Sequence, residues 1–420
     1  MRRATEAERA RLHEDFVELC RIESPYGHER ACGQKVKAEL AALGLEVHED
    51  GAAQVTGGDC GNLFARVPGP SARSILLCAH LDTVPLEGPV EPVAVDEGWE
   101  NAHDAILGAD NKAAVAVILG VVRRFAAGPP PIGLELLFTV AEENALVGAK
   151  AFDVSRLSSD YGYVFDHASP IGEIVLASPT YYRLSATFRG TAAHAGIRPE
   201  DGRSAIVAAA HAIAGMSLGR LDEQTTANIG TIRGGSGATN VVPDRCEVLG
   251  EARSLDSERV EAVVAEMVDR LHDGANLPEC QCDLDISVER LFEGYRARRG
   301  AAHIAVAERA LSACGYEPRL ISTGGGSDAN ALEAAGFECG NLANGTLRNH
   351  QPDERVSFAD LEGMLDVAMA LVEEAAAPAT TPEAAQDPVP GDRGDPPSGH
   401  PQDPASGEAR EPQGAALSDR

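Results

Sequence analysis

The sequence predicts an α/β protein in which a mixed sheet layered with helices is interrupted by an inserted α+β domain. Three observations carry this expectation. Short apolar runs alternate with helical patterns between residues 5 and 178. A different texture, alternating apolar and polar residues, begins near Tyr181, and the alternation of helix and strand resumes from about residue 293 to 374. Alternation of the first kind is expected of a sheet covered by helices, and its interruption implies a discontinuous first domain.

Taken in order, the N-terminal stretch MRRATEAERARLHEDFVELCRI has charges throughout and lacks the uninterrupted apolar core of a signal peptide, so it reads as an amphipathic helix. SILLCA at 74–79, LELLFTV at 134–140 and YGYVF at 161–165 read as buried strands. Residues 111–125 are helical in pattern, opened by Asp110 as a possible N-cap and closed before Gly128 and three prolines. In the insert, YRLSATFRG is a strand, an Ala-rich helix spans 202–216, ANIGTIRG and RCEVLGEARS are strands, SERVEAVVAEMVDRLHDGA is a helix and CDLDISVERL a final strand. This β-α-β-β-α-β order is ferredoxin-like. The expected organisation is one domain from residues 1–180 and 293–377, an inserted domain at 181–292, and a tail at 378–420. Pro, Gly, Asp, Glu, Ala and Ser dominate that tail, which has too few apolar residues to offset the cost of ordering its backbone, so a disordered, solvated extension is expected.

Composition narrows the function. The 420 residues are 44% hydrophobic and 24% charged, ordinary for a globular protein, and the 4% aromatic content leaves packing to Ala, Val, Leu and Ile. A formal net charge of -29 argues against nucleic acid as a partner. No apolar stretch approaches the roughly 20 residues that cross a bilayer, so no membrane association is expected. Nine cysteines without CxxC spacing suit a reducing, cytoplasmic compartment, and the CxC pair Cys280 and Cys282 reads as part of an ordinary strand.

Five residues able to ligate metal stand at predicted element ends: His80, Asp110, Glu143, Asp166 and His350. An α/β fold could bring all five to one edge, which makes a two-metal hydrolase the leading reading. His80 and Asp82 form an HxD whose spacing puts both side chains on one face, so the carboxylate can support the imidazole; a polar strand end is the plainer alternative. Asp110 fits a helix cap, or a carboxylate shared by two ions. Glu142 and Glu143 follow a fully apolar strand, where adjacent acids are costly to hold without cations. Glu143 is read as a ligand and Glu142 as the general base that activates water. Asp166 and His350 could each be simple loop residues; joined to the others they complete a set of imidazoles and carboxylates suited to zinc, or to cobalt or manganese.

Several stretches together resemble the M20 metallopeptidases, and within them the tripeptidase T-like members: AHLDTVP, GADNKAA, AEENALVGA, VFDHASPIGEI, GTAAHAGIRPEDGRSAI, NVVPD, EARS, STGGGSDANAL and NHQPDE. The resemblance covers most of residues 1–375. It implies a di-zinc exopeptidase-type catalytic domain in which Asp110 bridges two ions, Glu143 and His350 complete one site, and His80 and Asp166 the other. It further implies that Asp82 orients His80, that Glu142 is the base, and that the inserted domain is a lid through which a homodimer forms. His194, otherwise a strand-end histidine, would polarise the scissile carbonyl, commonly across the dimer; Asn240 and Arg253 would contact substrate. The glycine run holding Gly325, Gly326 and Ser327, otherwise a tight turn, would face the substrate. The chain departs from the family at Asn111, where an acid is common, and at Gln351 and Pro352, where Thr is common after the final His. Neither change removes a ligand.

The implied substrate is a short peptide, with an N-acyl amino acid as the alternative and a non-catalytic binding protein as the remote one. Two competing motifs fail on context. GMSLG at 215–219 ends a helix, whereas a serine nucleophile elbow follows a strand. RGGSGATN lacks both a Walker lysine and the full dinucleotide spacing.

Overall fold

The computed structural model describes residues 3–126 and 128–377; the predicted tail at 378–420 lies outside the described residues. The apolar runs become the centre of a nine-stranded sheet, with Val47–Glu49, Leu63–Val67, Gly133–Thr139, Ser74–His80, Gly162–His167, Cys339–Ala343, Glu173–Ser178 and Tyr295–Arg296 in that spatial order. Arg319–Ser322 also pairs with Glu173–Ser178. Ser74–His80 is buried at every position and runs parallel to both of its neighbours. Its period of two divides it between two cores. Ile75, Leu77 and Ala79 pack into the larger core with the helices Glu6–Cys20, Ala302–Cys314 and Phe358–Ala376, while Leu76 and Cys78 join the smaller one beneath Ala329 and Leu332.

Register positions the functional ends. His80 lies opposite Thr139, and Cys78 opposite Val164, so the strands that carry His80, Glu142 and Asp166 finish together at their C-terminal edge. Open α/β sheets bind ligands at this edge.

The helix expected at 111–125 is Ala109–Ala126, buried on nearly all sides, but its first residues are not helical. Asp110 has φ -83° and ψ 106°, and Asn111 has φ -117° and ψ 27°. Asp110 therefore does not act as a simple N-cap; its side chain turns toward the histidines described below.

Residues 180–292 build a five-stranded sheet in the order Gly219–Arg220, Thr225–Gly234, Arg245–Ser254, Thr180–Arg189, Asp283–Phe292. Helices Ala205–Ala214 and Ser257–Ala275 cover it and share a separate core that includes Leu184, Phe188, Val248, Met267 and Leu271. The Ala-rich helix starts later than residue 202 because 199–201 form a 3-10 turn and Ser204 caps the helix, accepting the Val207 N–H at 3.3 Å.

A third sheet was not foreseen. Pro92–Val95, Gly98–Asn101, Arg355–Ser357 and Thr346–Leu347 pair in four strands, and the loop joining the last two carries His350. No helix among the described residues is long and apolar enough to cross a membrane.

Candidate active site

The five expected ligands converge at this sheet edge. Asp110 lies between two histidines, its Oδ1 3.3 Å from His80 Nε2 and its Oδ2 3.2 Å from His350 Nε2. Asp166 Oδ1 stands 3.7 Å from His80 Nε2, and Glu143 Oε1 2.9 Å from His350 Nε2. Ligand atoms of His80, Glu142 and Asp166 lie within 4.8 Å of one another, as do those of His80, Asp110 and Glu143. Asp110, Glu142, Glu143, Asp166 and His350 line a cavity of about 280 Å³ together with Arg253, while His80 is buried behind them.

Asp82 is fully buried and does more than the HxD spacing suggested. His80 Nδ1 lies 3.0 Å from the Asp82 backbone carbonyl and 3.4 Å from its Oδ1. The same carboxylate accepts the backbone N–H groups of Glu142 and Glu143, both at 3.0 Å. One side chain thus fixes the imidazole and the turn that presents both glutamates. Glu142 lines the cavity with its carboxyl group, while its backbone carbonyl accepts the Leu146 N–H at 2.8 Å.

So many acids in a buried place demand positive charge. Burial and the Asp166 charge push Glu142 well above the usual carboxylate range. Burial and the Asp110 charge do the same to Asp166, and burial raises Glu143. Burial disfavours charge on His80 too, but Asp110, Asp166 and Asp82 outweigh it and raise the imidazole well above its ordinary value. Hydrogen bonds to Asp110 and Glu143 lift His350 to about 10. Burial alone would raise Asp110, yet the two imidazoles hold it below the usual range. These opposite shifts have one cause, a buried excess of acid over positive charge. Two divalent ions would supply that charge and leave the carboxylates ionised and the imidazoles neutral, the ligating forms of both. The donor set fits such a pair.

Another acid cluster shows the contrast. Asp15, Glu18 and Glu39 also lie within ligand reach of one another, but Arg11, Lys35 and Arg123 pair with them at 2.9, 2.5 and 2.7 Å respectively. Their charge is already compensated, so that cluster is an ion-pair network. Cys280 and Cys282 are buried free thiols in the second core and join no metal-type grouping among the described residues.

The residues expected to contact substrate divide. Arg253 reaches the cavity, its guanidinium 4.1 Å above the Tyr181 ring and its Nη1 donating to the Gly324 carbonyl at 3.2 Å. Gly325 and Gly326 line the same wall, and a Cβ on Gly326 would run into the ring of Phe292. Ser327 is a correction: it is 1% exposed, precedes the helix Asp328–Ala334 and does not line the cavity, because the chain turns inward after Gly326. His194 and Asn240 are exposed, adjacent to each other in loops of the second sheet, and absent from the cavity wall of their own chain.

Four polar residues escaped the sequence reading. Asn349 Nδ2 donates to Asp110 Oδ2 at 2.8 Å, and Asn341 Oδ1 accepts the Asp166 N–H at 3.0 Å. Asp328 lies buried beneath the cluster, accepts the Thr139 hydroxyl, and is pushed up to about 6 by burial. Glu354, pushed up to about 7 by burial and the Asp110 charge, accepts backbone N–H groups beside Asp110. NHQPDE held two of the four, but nothing local in it distinguishes them from loop polarity.

Comparison with known proteins agrees with this geometry. The profile of the M20 peptidase dimerisation domain matches residues 181–276, and that of peptidase family M28 matches 62–169. The Bacillus subtilis protein YqjE is 36% identical over 372 residues, covering 87% of this chain and 98% of YqjE. The crystal structure of aminopeptidase PepT from Bacillus cereus is 37% identical, covers 88% of this chain and 99% of its own, and superposes with a TM-score of 0.78. A Staphylococcus aureus tripeptidase, 33% identical over 88% of this chain and 98% of its own, superposes with a TM-score of 0.82.

Proposed function

Because the chain belongs to the M20 family of metallopeptidases, on its tripeptidase-like side, we propose that it is an exopeptidase that removes a terminal residue from short peptides with two zinc ions, cobalt or manganese being the alternatives. Asp110 would be shared by the two ions, His80 and Asp166 would hold one of them, and Glu143 and His350 the other. Such a pair, when bound, lowers the pKa of water and polarises a carbonyl oxygen. Glu142 then takes the proton from the attacking water and delivers it to the departing amine nitrogen. Asp82 keeps His80 and both glutamates in place, and Arg253 grips a substrate carboxylate with its planar fork.

The observation that carries this reading is the split of Asp110 between two imidazoles, one at each oxygen, with Glu142 on the wall of the same cavity. Residues 181–292 act as a lid and dimerisation domain. Supporting this, the outer edge of Thr225–Gly234 is covered by Gly219–Arg220 only opposite residues 226 and 227, and Ile206, Val207 and Ile232 are exposed. An open edge and apolar side chains of this kind favour pairing with a second chain. In that homodimer His194 and Asn240 serve the partner's cavity. A cytoplasmic site of action suits nine free, buried cysteines.

Changing Glu142 to Ala tests the assignment. Turnover of free tripeptides should vanish while both metals remain bound; loss of metal along with activity would make Glu142 a ligand rather than the base. The same assay run on N-acyl amino acids separates peptidase from deacylase.

A further inference from the structure

The loop at 348–354 grips the Asp110 turn in three ways. His350 Nε2 stands 3.2 Å from Asp110 Oδ2, and Asn349 donates to the same oxygen at 2.8 Å. Four residues beyond His350, Glu354 accepts the Gly108 N–H on Oε2 at 2.7 Å and the Asp110 N–H on Oε1 at 2.9 Å. Glu354 is 1% exposed, and the partners of its two oxygens are backbone N–H groups rather than a cation.

A carboxylate buried this way is costly unless its hydrogen bonds do something a neutral group cannot. The turn explains the need. Gly108 has φ +75°, and neither Asp110 nor Asn111 is helical, so helix geometry does not hold this stretch. Glu354 supplies acceptors on both sides of Ala109 and ties that turn to the loop that carries His350.

We propose that Glu354 is a positioning residue for both metal sites: by clamping the turn at 108–110 to the His350 loop, it sets the separation of Asp110 and His350 before any ion binds. The inference rests on Asp110 and His350 being ligands. Glu354 does not line the cavity; it acts through the Asp110 backbone.

The test is cobalt titration of the metal-free full-length protein, wild type and Glu354→Gln, followed by its visible spectrum, with the melting of the metal-free forms measured in parallel. Glutamine keeps the shape but turns an NH2 group toward one of the two N–H donors. Cobalt affinity should fall about 10- to 100-fold, the effect of losing a group that orients a ligand. The spectrum should shift, and kcat should drop with KM for a tripeptide unchanged. Glu354→Asp, still charged but one methylene short of spanning both N–H groups, covers the case in which the Gln variant fails to fold; it too should bind cobalt more weakly than wild type. Wild-type affinity and spectrum in either folded variant would overturn the proposal. So would a lower melting point of the metal-free form combined with unchanged cobalt affinity, since that marks a purely structural role. A wild-type protein that binds no cobalt pair and cleaves no tripeptide would instead refute the functional reading, a separate outcome.

Discussion

Removing the Asp82 carboxylate should damage both the fold and the metal site, by amounts the geometry allows to be worked out. In Asp82→Ala the backbone N–H groups of Glu142 and Glu143 lose their acceptor in a region where Asp82 is fully buried. Each unsatisfied buried donor costs about 1–3 kcal/mol, so the pair sums to roughly 2–6 kcal/mol. That is a large part of the 5–15 kcal/mol that typically separates folded from unfolded protein. His80 also loses the carboxylate 3.4 Å from Nδ1 while keeping the backbone carbonyl at 3.0 Å. Metal affinity should therefore fall by about 10- to 100-fold rather than vanish. Denaturant unfolding of the metal-free protein reads the first quantity, and competition with a chelator reads the second. Asp82→Asn, which retains one acceptor oxygen, should lie between wild type and Ala in both. An Ala variant as stable as wild type, with unchanged metal affinity, would refute the claim that Asp82 holds the Glu142–Glu143 turn.

Other predictions concern the substrate and the surface. Arg253→Lys gives up the fork and the stacking on Tyr181, so KM for tripeptides with a free C-terminal carboxylate should rise about tenfold or more, while C-terminally amidated peptides should be little affected in steady-state assays. Burial would raise Glu39, but hydrogen bonds from Lys35 and Arg123 hold it down to about 2, and hydrogen bonding to Lys37 and Arg30 likewise outweighs burial at Glu49 and keeps it at about 2. Carboxyls depressed in the folded state contribute stability above their unfolded value near 4.5, and that stability is lost as pH falls toward about 2. Melting curves between neutral pH and pH 2.5 should show the loss in that window, and Glu39→Gln should lower stability at neutral pH while flattening the acid limb.

How far the sequence could be read depended on whether a residue's role was set locally. The strands ending at His80 and beside Glu142 and Asp166 were legible because an apolar run that stops at an acid or imidazole marks both the strand and its polar end. Asp110 was legible as a residue of interest but carried two local readings, cap and shared ligand; the cap gave way because the backbone leaves helical geometry at Asp110 and Asn111. The sheet that carries His350 was not legible. GWEN is half-buried at every position, so it shows no alternation of apolar and polar residues to detect. Glu354 and Asn349 escaped for a related reason: their partners lie more than 200 residues away, and nothing nearby distinguishes them from ordinary loop residues. Ser327 was named because the resemblance implies a substrate-facing glycine run, and that run gives no local sign of where the chain turns inward to bury Ser327.

In the proposed centre Asp110 would join two divalent cations, one beside His80 and Asp166 and one beside Glu143 and His350. Anomalous diffraction at the zinc edge from crystals of the purified protein would locate both ions. Two peaks about 3.5–4 Å apart, flanking the Asp110 carboxylate, are the predicted result; a single peak, or peaks bound by other residues, would contradict it.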